Sequence, residues 1–323
     1  MRRTLAPALA ALTLLGLFAG QARAQDNYPS RPVKIIIAFP VGGLLDTVSR
    51  IVSEKMSGLL GQQFIIEARP GAGGTLATAA VAKAEPDGYT VMMINDNHAL
   101  NPSVFKNVPY DSVKDFAPIG FVGSTPLVFA AHPSVPAKDV KGLVEIAKKE
   151  PGAITYGSVG PGSASHLAGE MLAGAANVQL QHVPYRGGAP AMTDLLAGHV
   201  KTMFLSPVIG LQNIKGGKLT GMALAADKRL EILPDLPTMK EAGYPLEASY
   251  WFGLVAPAGT PPAILSKLEK ALADTLAMPD VRKRLTEMGA IIEPLNGNQF
   301  GAYIRAELVK WADIVKKAGV QPN

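Results

Sequence analysis

At 323 residues, 48% hydrophobic and 18% charged with a mean hydropathy of +0.18, the chain can bury a real core, which excludes a disordered, collagen-like or coiled-coil protein and favours two lobes or one large domain. The absence of cysteine excludes disulfides, thiolate metal sites and a lipid-modified cysteine. The formal charge of +5 includes no basic run interleaved with aromatics, so nucleic acid is not an expected partner.

Residues 1–24 read as a secretory signal. Arg2 and Arg3 form the charged n-region, residues 5–20 are apolar and uncharged but short for a bilayer span, and Ala22-Arg23-Ala24 is a small-x-small cleavage site before Gln25. Cleavage after Ala24 takes 24 residues from 323 and leaves 299. It removes three arginines and no acid, so Lys+Arg falls from 31 to 28 against 26 Asp+Glu, a net charge of about +2, and the whole-chain pI of 9.2 overstates the basicity. The uncharged stretches 116–137 and 248–266 each carry at least three prolines, which suits strands and loops better than a helix in lipid. A soluble, secreted mature protein is expected, as a monomer.

Residues 33–39 are a β-branched run expected as a strand buried on both faces. Val48, Ile51, Val52, Met56 and Leu59 then mark a helix that stops at Gly61. Strands are expected at 64–67 and 90–94 with a helix over 74–83 between them, followed by a long extended stretch over 117–132. Helices over 138–149 and 163–175 flank a strand at 154–157. The alternation restarts with a strand at 178–183, a helix over 190–197 that has proline in its first turn, and strands at 200–205 and 219–225. After a strand at 250–255 come three helices, 262–277, 280–288 and 299–318, with little strand between them. Strand and helix alternating in this way indicate an α/β fold of parallel sheets with crossover helices. The stretches 116–132 and 250–255 are expected to cross between lobes as a two-strand hinge, giving lobe 1 as 25–124 plus 250–323 and lobe 2 as 125–249.

Three glycine-rich strand-to-helix junctions expose backbone N–H groups where a helix dipole favours an anion. In Phe39-Pro40-Val41-Gly42-Gly43-Leu44-Leu45-Asp46, glycine lets a ligand approach the main chain, and Arg50 lies four residues beyond Asp46, so the two charges neutralise each other. Gly157-Ser158-Val159-Gly160-Pro161-Gly162-Ser163-Ala164-Ser165-His166 offers several donors without a formal positive charge. Pro184-Tyr185-Arg186-Gly187-Gly188-Ala189-Pro190 adds an arginine able to form a bidentate pair with a carboxylate. Each has a plain structural alternative: a tight turn with a first-turn acid, a helix cap at Ser163 or Ser165, and a surface arginine. Enzyme signatures are missing. There is no Gly-x-Ser-x-Gly elbow, no complete dinucleotide or phosphate-loop fingerprint, and no paired metal-ligand spacing among the five histidines, so neither cofactor nor metal is expected. A hydrolase using Ser163 or Ser165 with His166 is the remaining enzyme alternative.

Ordered matches along nearly the whole mature chain carry a family resemblance. They include Pro40-Val41-Gly42-Gly43 with Asp46 and Arg50, Arg69-Pro70-Gly71-Ala72-Gly73-Gly74, Pro86-Asp87-Gly88-Tyr89-Thr90, Asn101-Pro102, Pro109-Tyr110-Asp111, His132-Pro133-Ser134-Val135-Pro136, Ser165-His166-Leu167, Val183-Pro184-Tyr185-Arg186-Gly187 and Trp251-Phe252-Gly253. With these, the chain resembles the extracytoplasmic solute receptors of the tripartite tricarboxylate transporter family, the Bug family of periplasmic binding proteins.

The resemblance implies a two-lobed, type II periplasmic-binding-protein fold that closes over a small organic carboxylate, a dicarboxylate or an aromatic or aliphatic acid, and delivers it to the membrane permease subunits of a tripartite transporter. A ligand sensor reporting to a signalling partner is the alternative with the same cleft. It further implies that the loops at Val41, Gly42 and Gly43 and at Gly160, Gly162, Ser163, Ala164 and Ser165 face each other and hold carboxylate oxygens through main-chain N–H groups. Phe39, Leu44, Asn95, Asn97, Tyr185, Arg186 and Leu205 complete the expected site, with Asn95 and Asn97 on an extended segment. Leu205 stands where family members commonly have an acid, which disfavours an amino-acid ligand. Leu44 and Leu45 make the first loop bulky and apolar, which favours a ligand with an apolar body behind its carboxylate.

Overall fold

The computed structural model describes residues 28–317; the expected signal segment and its cleavage site lie outside them. The β-branched run after Pro32 becomes β1 (Val33–Ile37), which pairs in parallel with β2 (Phe64–Ala68) on one side and β3 (Thr90–Asn95) on the other. Helix α1 (Leu44–Leu60) connects β1 to β2, burying Val48, Ile51, Val52 and Met56 against the sheet and ending at Gly61, whose N–H returns to the Ser57 carbonyl at 3.0 Å. A 3-10 turn at Ala72–Gly74 and α2 (Thr75–Ala82) lead into β3.

The segment after Ile94, expected to be extended, instead turns after Asn95 into helix α3 (Asn97–Val104). Pro102 inside it reads as a helix breaker because it clashes with and leaves unpaired the carbonyl four residues back. Here that carbonyl, of His98, accepts from the Ser112 hydroxyl at 2.7 Å, while the His98 ring pairs through Nε2 with the Ser112 carbonyl at 2.9 Å. The lost helical bond is replaced from a residue no local pattern connects to it.

The long extended stretch is two strands, β4 (Phe116–Pro126) and β5 (Val128–Ala131), which belong to different sheets. Leu127 makes the switch: its N–H bonds the Ala248 carbonyl at 2.9 Å and its carbonyl accepts from Ala225 at 2.7 Å. The second sheet continues with α4 (Val140–Lys149), β6 (Thr155–Ser158), α5 (Ala164–Ala176), β7 (Gln181–Pro184), α6 (Gly188–Leu196), β8 (Thr202–Leu205), α7 (Pro207–Lys215) and β9 (Thr220–Leu224). Strand β7 starts later than the hydrophobicity at 178 suggests, because the Val178 N–H closes the end of α5 on the Ala173 carbonyl. Helix α7, opened by the Ser206 cap and Pro207, escapes the sequence reading because nine residues of mixed polarity show little periodicity.

The chain returns through β10 (Ser249–Pro257), then α8 (Pro262–Ala277), α9 (Pro279–Glu287), the two-residue β11 (Leu295–Asn296) and α10 (Gly297–Lys317). The first sheet has the order β11-β4-β10-β3-β1-β2 and the second β7-β6-β8-β5-β9. Strand β10 runs antiparallel to β4 along its length, with Ser249 opposite Pro126, so the two crossings between sheets lie side by side. Among the described residues no helix is long and apolar enough to cross a membrane. The architecture is α/β with two mixed sheets, and the ends of β1, β3, β6 and β8 converge where the halves meet.

Candidate functional site

A cavity of about 490 Å³, counted out to its open mouth, lies between the two sheets. The first junction lines it with Phe39, Pro40, Gly43, Leu44 and Leu45, the strand ends with Asn95 and Tyr250, and the second half with Val159, Gly188, Ser206 and Ile209. No charged side chain is among these residues. A ligand here meets apolar walls, a few hydroxyl and amide groups, and the main chain.

The main chain is where the charge complement lies. Helix α1 begins at Gly43 without a side-chain cap, and the N–H groups of Gly43, Leu44 and Leu45 have no acceptor among the described residues. Helix α6 begins at Gly187, also without a side-chain cap, and the N–H groups of Gly188 and Ala189 are likewise unpaired. Two uncapped helix starts therefore open on one apolar space, the arrangement that favours an anion. Gly42, by contrast, already donates its N–H to Asp46 Oδ2 at 2.9 Å. Asp46 also takes Arg50 Nε at 3.0 Å and Nη2 at 2.9 Å, the expected i,i+4 pair, so its charge does not confront a bound anion alone.

The first loop packs against the third, and Val159 of the second lines the same cavity. A Cβ built on Gly187 would stand 2.9 Å from Pro40 Cδ, so only glycine permits this approach, and Gly42 lies opposite Ala189. The glycine-serine loop turns its Gly162 to Val104 at the end of α3, where a Cβ would stand 2.5 Å from Val104 Cγ2. Its donors are largely used within the protein. Val159 N–H bonds Ser165 Oγ at 3.1 Å, Gly160 N–H bonds Ser158 Oγ at 3.2 Å, Gly162 N–H bonds His166 Nδ1 at 3.0 Å, and His166 N–H bonds Ser163 Oγ at 3.3 Å. The Ala164 amide faces the buried carboxylate of Asp96. The helix-cap reading of Ser163 describes this loop, and among the described residues no serine hydroxyl meets the His166 ring as a hydrolase requires.

The other expected residues divide. Phe39, Gly43, Leu44 and Asn95 line the cavity. Val41 is 58% exposed, and Arg186 is exposed at the rim with no carboxylate partner among the described residues. Asn97 is buried and accepts from Asn95 Nδ2 at 3.2 Å. Tyr185 commits its hydroxyl to Asp194 at 2.7 Å. Leu205 is fully buried among Val128, Leu211 and Leu224 and packs on Gly210, so it faces the core of the second half and not the cavity. The expected site omitted Pro40, Leu45, Val159, Gly188, Ser206, Ile209 and Tyr250, which also line the cavity. Tyr250 stands directly before the Trp251-Phe252-Gly253 motif and Ser206 directly after the β8 run, and those were the available signals.

Behind the second loop, His166 stacks on His182 with ring centroids 4.0 Å apart, and His182 Nε2 meets Ser158 Oγ at 2.7 Å. Burial, helped by neighbouring His166, pushes His182 down to about 4; burial also lowers His166, and pushes the enclosed His98 down to about 4. All three bind a proton more weakly folded than in the unfolded chain, where histidine titrates near about 6.5. Their contribution to stability is thus complete above pH of about 6.5 and drains as pH falls toward 4. The melting temperature is expected to drop over that window, and to drop less steeply in His182→Phe. Equal slopes in both proteins would assign the acid lability to carboxylates instead. Among the described residues no group of three or more His, Asp or Glu side chains is arranged to hold a metal.

Comparison with known proteins matches residues 48–320 to the family described as the tripartite tricarboxylate transporter family receptor. Protein BugT of Bordetella pertussis is 31% identical over 318 residues, covering 96% of this chain and 98% of that protein. The solved periplasmic binding protein BugD is 39% identical with a TM-score of 0.88, covering 92% of this chain and all of that one. Rpa4515 of R. palustris, solved with adipate, is 30% identical with a TM-score of 0.89 and covers 92% of this chain and all of that one.

Proposed function

Since the chain belongs to the tripartite tricarboxylate transporter receptor family, whose BugD-type members are periplasmic binding proteins and not enzymes, we propose that it captures a small carboxylate with an apolar body in the cavity between its two halves and delivers it to the permease subunits of a tripartite transporter. The observation that carries this reading is the pair of uncapped helix starts, α1 at Gly43 and α6 at Gly187, opening on a space otherwise walled by Phe39, Leu44, Leu45, Val159 and Ile209. The carboxylate sits at the amides of Gly43, Leu44, Leu45, Gly188 and Ala189, with Arg186 at the rim attracting the acid as it arrives. The hydrocarbon part fills the space over Leu44 and Ile209. Asn95 and Ser206 supply the polar contacts that orient it. The adipate in Rpa4515, a carboxylate with a four-methylene body, is of the proposed class.

The protein acts as a monomer in the periplasm after removal of residues 1–24. Of the described residues, those within 25–124 and 250–323 form one lobe and 125–249 the other, joined by the crossings at Leu127 and Ala248. An acid that touches both lobes makes its full set of contacts only when they are together, so binding shifts the population toward the closed form by its differential affinity.

A thermal-shift series with hexanoate, adipate, benzoate and malate tests this. An acid of the right class at 100 times its Kd adds about 2.7 kcal/mol to a two-state receptor and is recovered unchanged. Hexanoate or adipate is expected to stabilise more than malate. Absence of stabilisation by every acid would remove the reading, and steady consumption of one would replace it with an enzyme.

A further inference from the structure

Asp96 lies between β3 and α3 and is wholly buried, yet neither of its carboxylate oxygens has a hydrogen-bond partner among the described residues. It lies on the first half of the molecule but faces the first turn of α5, which belongs to the second half, with the Ala164 amide directed at it. Strand β10 brings Tyr250 against it, whose hydroxyl is also buried and unpaired. Helix α10 contributes Tyr303, Glu307 and Lys310, and its own helix carries His98. Asp96 is the N-cap residue of α3, yet its side chain makes no capping hydrogen bond to that helix. It is buried without a partner beside a helix start on the opposite half.

We propose that Asp96 forms a proton-dependent clasp between the halves: its side chain, built into the first half, is buried against the start of α5 in the second when they close, and it is accommodated there as the neutral acid. It does not line the cavity. It acts through α5 and the glycine-serine loop, whose Val159 does.

The clasp makes closure depend on pH. Burial raises the Asp96 carboxyl to about 8; Glu307 adds to the rise, and the amide of Asp96 itself, then the Ala164 amide and Lys310, oppose it. When the halves part, water reaches Asp96 and its pKa returns toward the ordinary value of about 4. Closing therefore raises the pKa and takes up a proton between about pH 4 and pH 8. The closed form is most favoured below that window, weakens as pH rises through it, and levels off above about 8. The histidines pushed to about 4 do not titrate in the upper half of this range.

The inference rests on the reading of the protein as a receptor whose halves move, and its test needs no ligand. The chain has no native cysteine, so spin labels at Gln63→Cys in the first half and Lys215→Cys in the second, both exposed, report the separation by double electron–electron resonance. With Asp96 intact, the ratio of closed to open distances is expected to fall at least tenfold between pH 6 and pH 8, and in Asp96→Asn to stay level. The same pH profile in both proteins would overturn the clasp. Should Asp96→Asn fail to fold, Lys310→Gln, a half-exposed side chain, is expected to move the midpoint to higher pH by removing a charge that favours the carboxylate; an unmoved midpoint would also overturn it. A pH-dependent separation that follows Asp96, in a protein that binds none of the acids above, keeps the clasp and removes the carboxylate reading. Acid binding with no change of profile in Asp96→Asn does the reverse.

Discussion

Gly43→Val is expected to weaken hexanoate or adipate binding by about 100-fold in calorimetric titration while lowering the stability of the ligand-free protein by no more than about 1 kcal/mol. Gly43 has φ −87° and ψ −179°, extended backbone open to any residue, and a Cβ there would lie 3.6 Å from the Pro40 carbonyl, an ordinary contact. The fold therefore accepts the side chain. The ligand does not, because the valine methyls stand over the amides of Leu44 and Leu45 at the uncapped start of α1. Hydrogen bonds to a charged acceptor contribute about 1.5–3 kcal/mol each, and losing one to two of them corresponds to the stated factor. Unchanged affinity would take the first junction out of the site. Loss of binding together with collapse of the melting transition would indicate that valine disturbs α1 itself.

Glu307→Ala is expected to cost about 3–5 kcal/mol of stability in denaturant unfolding, with Glu307→Gln retaining much of it. Both tryptophans of the chain, Trp251 on β10 and Trp311 on α10, donate their indole N–H to the same oxygen, Glu307 Oε2, at 2.9 Å each, and Lys310 Nζ meets Oε1 at 3.0 Å. Both indoles are essentially inaccessible, so removing the carboxylate leaves two buried donors and a cavity. Glutamine keeps a carbonyl oxygen with two lone pairs for the indoles and gives up only the charge facing Lys310. A cost near zero for Glu307→Ala would mean that water replaces the carboxylate freely. The same substitution removes a charge that raises the Asp96 carboxyl, so tryptophan fluorescence and the pH dependence of closure are expected to change together.

The alternation of β-branched runs with amphipathic helices is a local property, and it was readable because each run's burial follows from its own composition. The stretch at 33–39 became β1, and the helix marked by Val48, Ile51, Val52 and Met56 became α1. The three glycine-rich junctions were legible for the same reason: a chain that must turn from strand into helix within a few residues announces it with glycine and small hydroxyls. Family membership was legible because those motifs recur in order.

Which junction keeps its donors free was decided only in three dimensions. Sequence spacing offered the second loop as many donors as the first, but Ser158, Ser163, Ser165, His166 and Asp96 use or face them, and four of those five partners lie within the loop itself while Asp96 comes from the other half. Leu205 was placed in the site by the family resemblance, yet pleat alternation at the end of β8 turned it into the core and left Ser206 at the cavity. Helix α3 survived its proline because Ser112 supplied the missing bond across a gap in sequence. Local patterning determined the elements and their turns. Burial and pairing between distant segments determined which polar groups remained free for a ligand, since a donor is available only if nothing else in the folded chain reaches it.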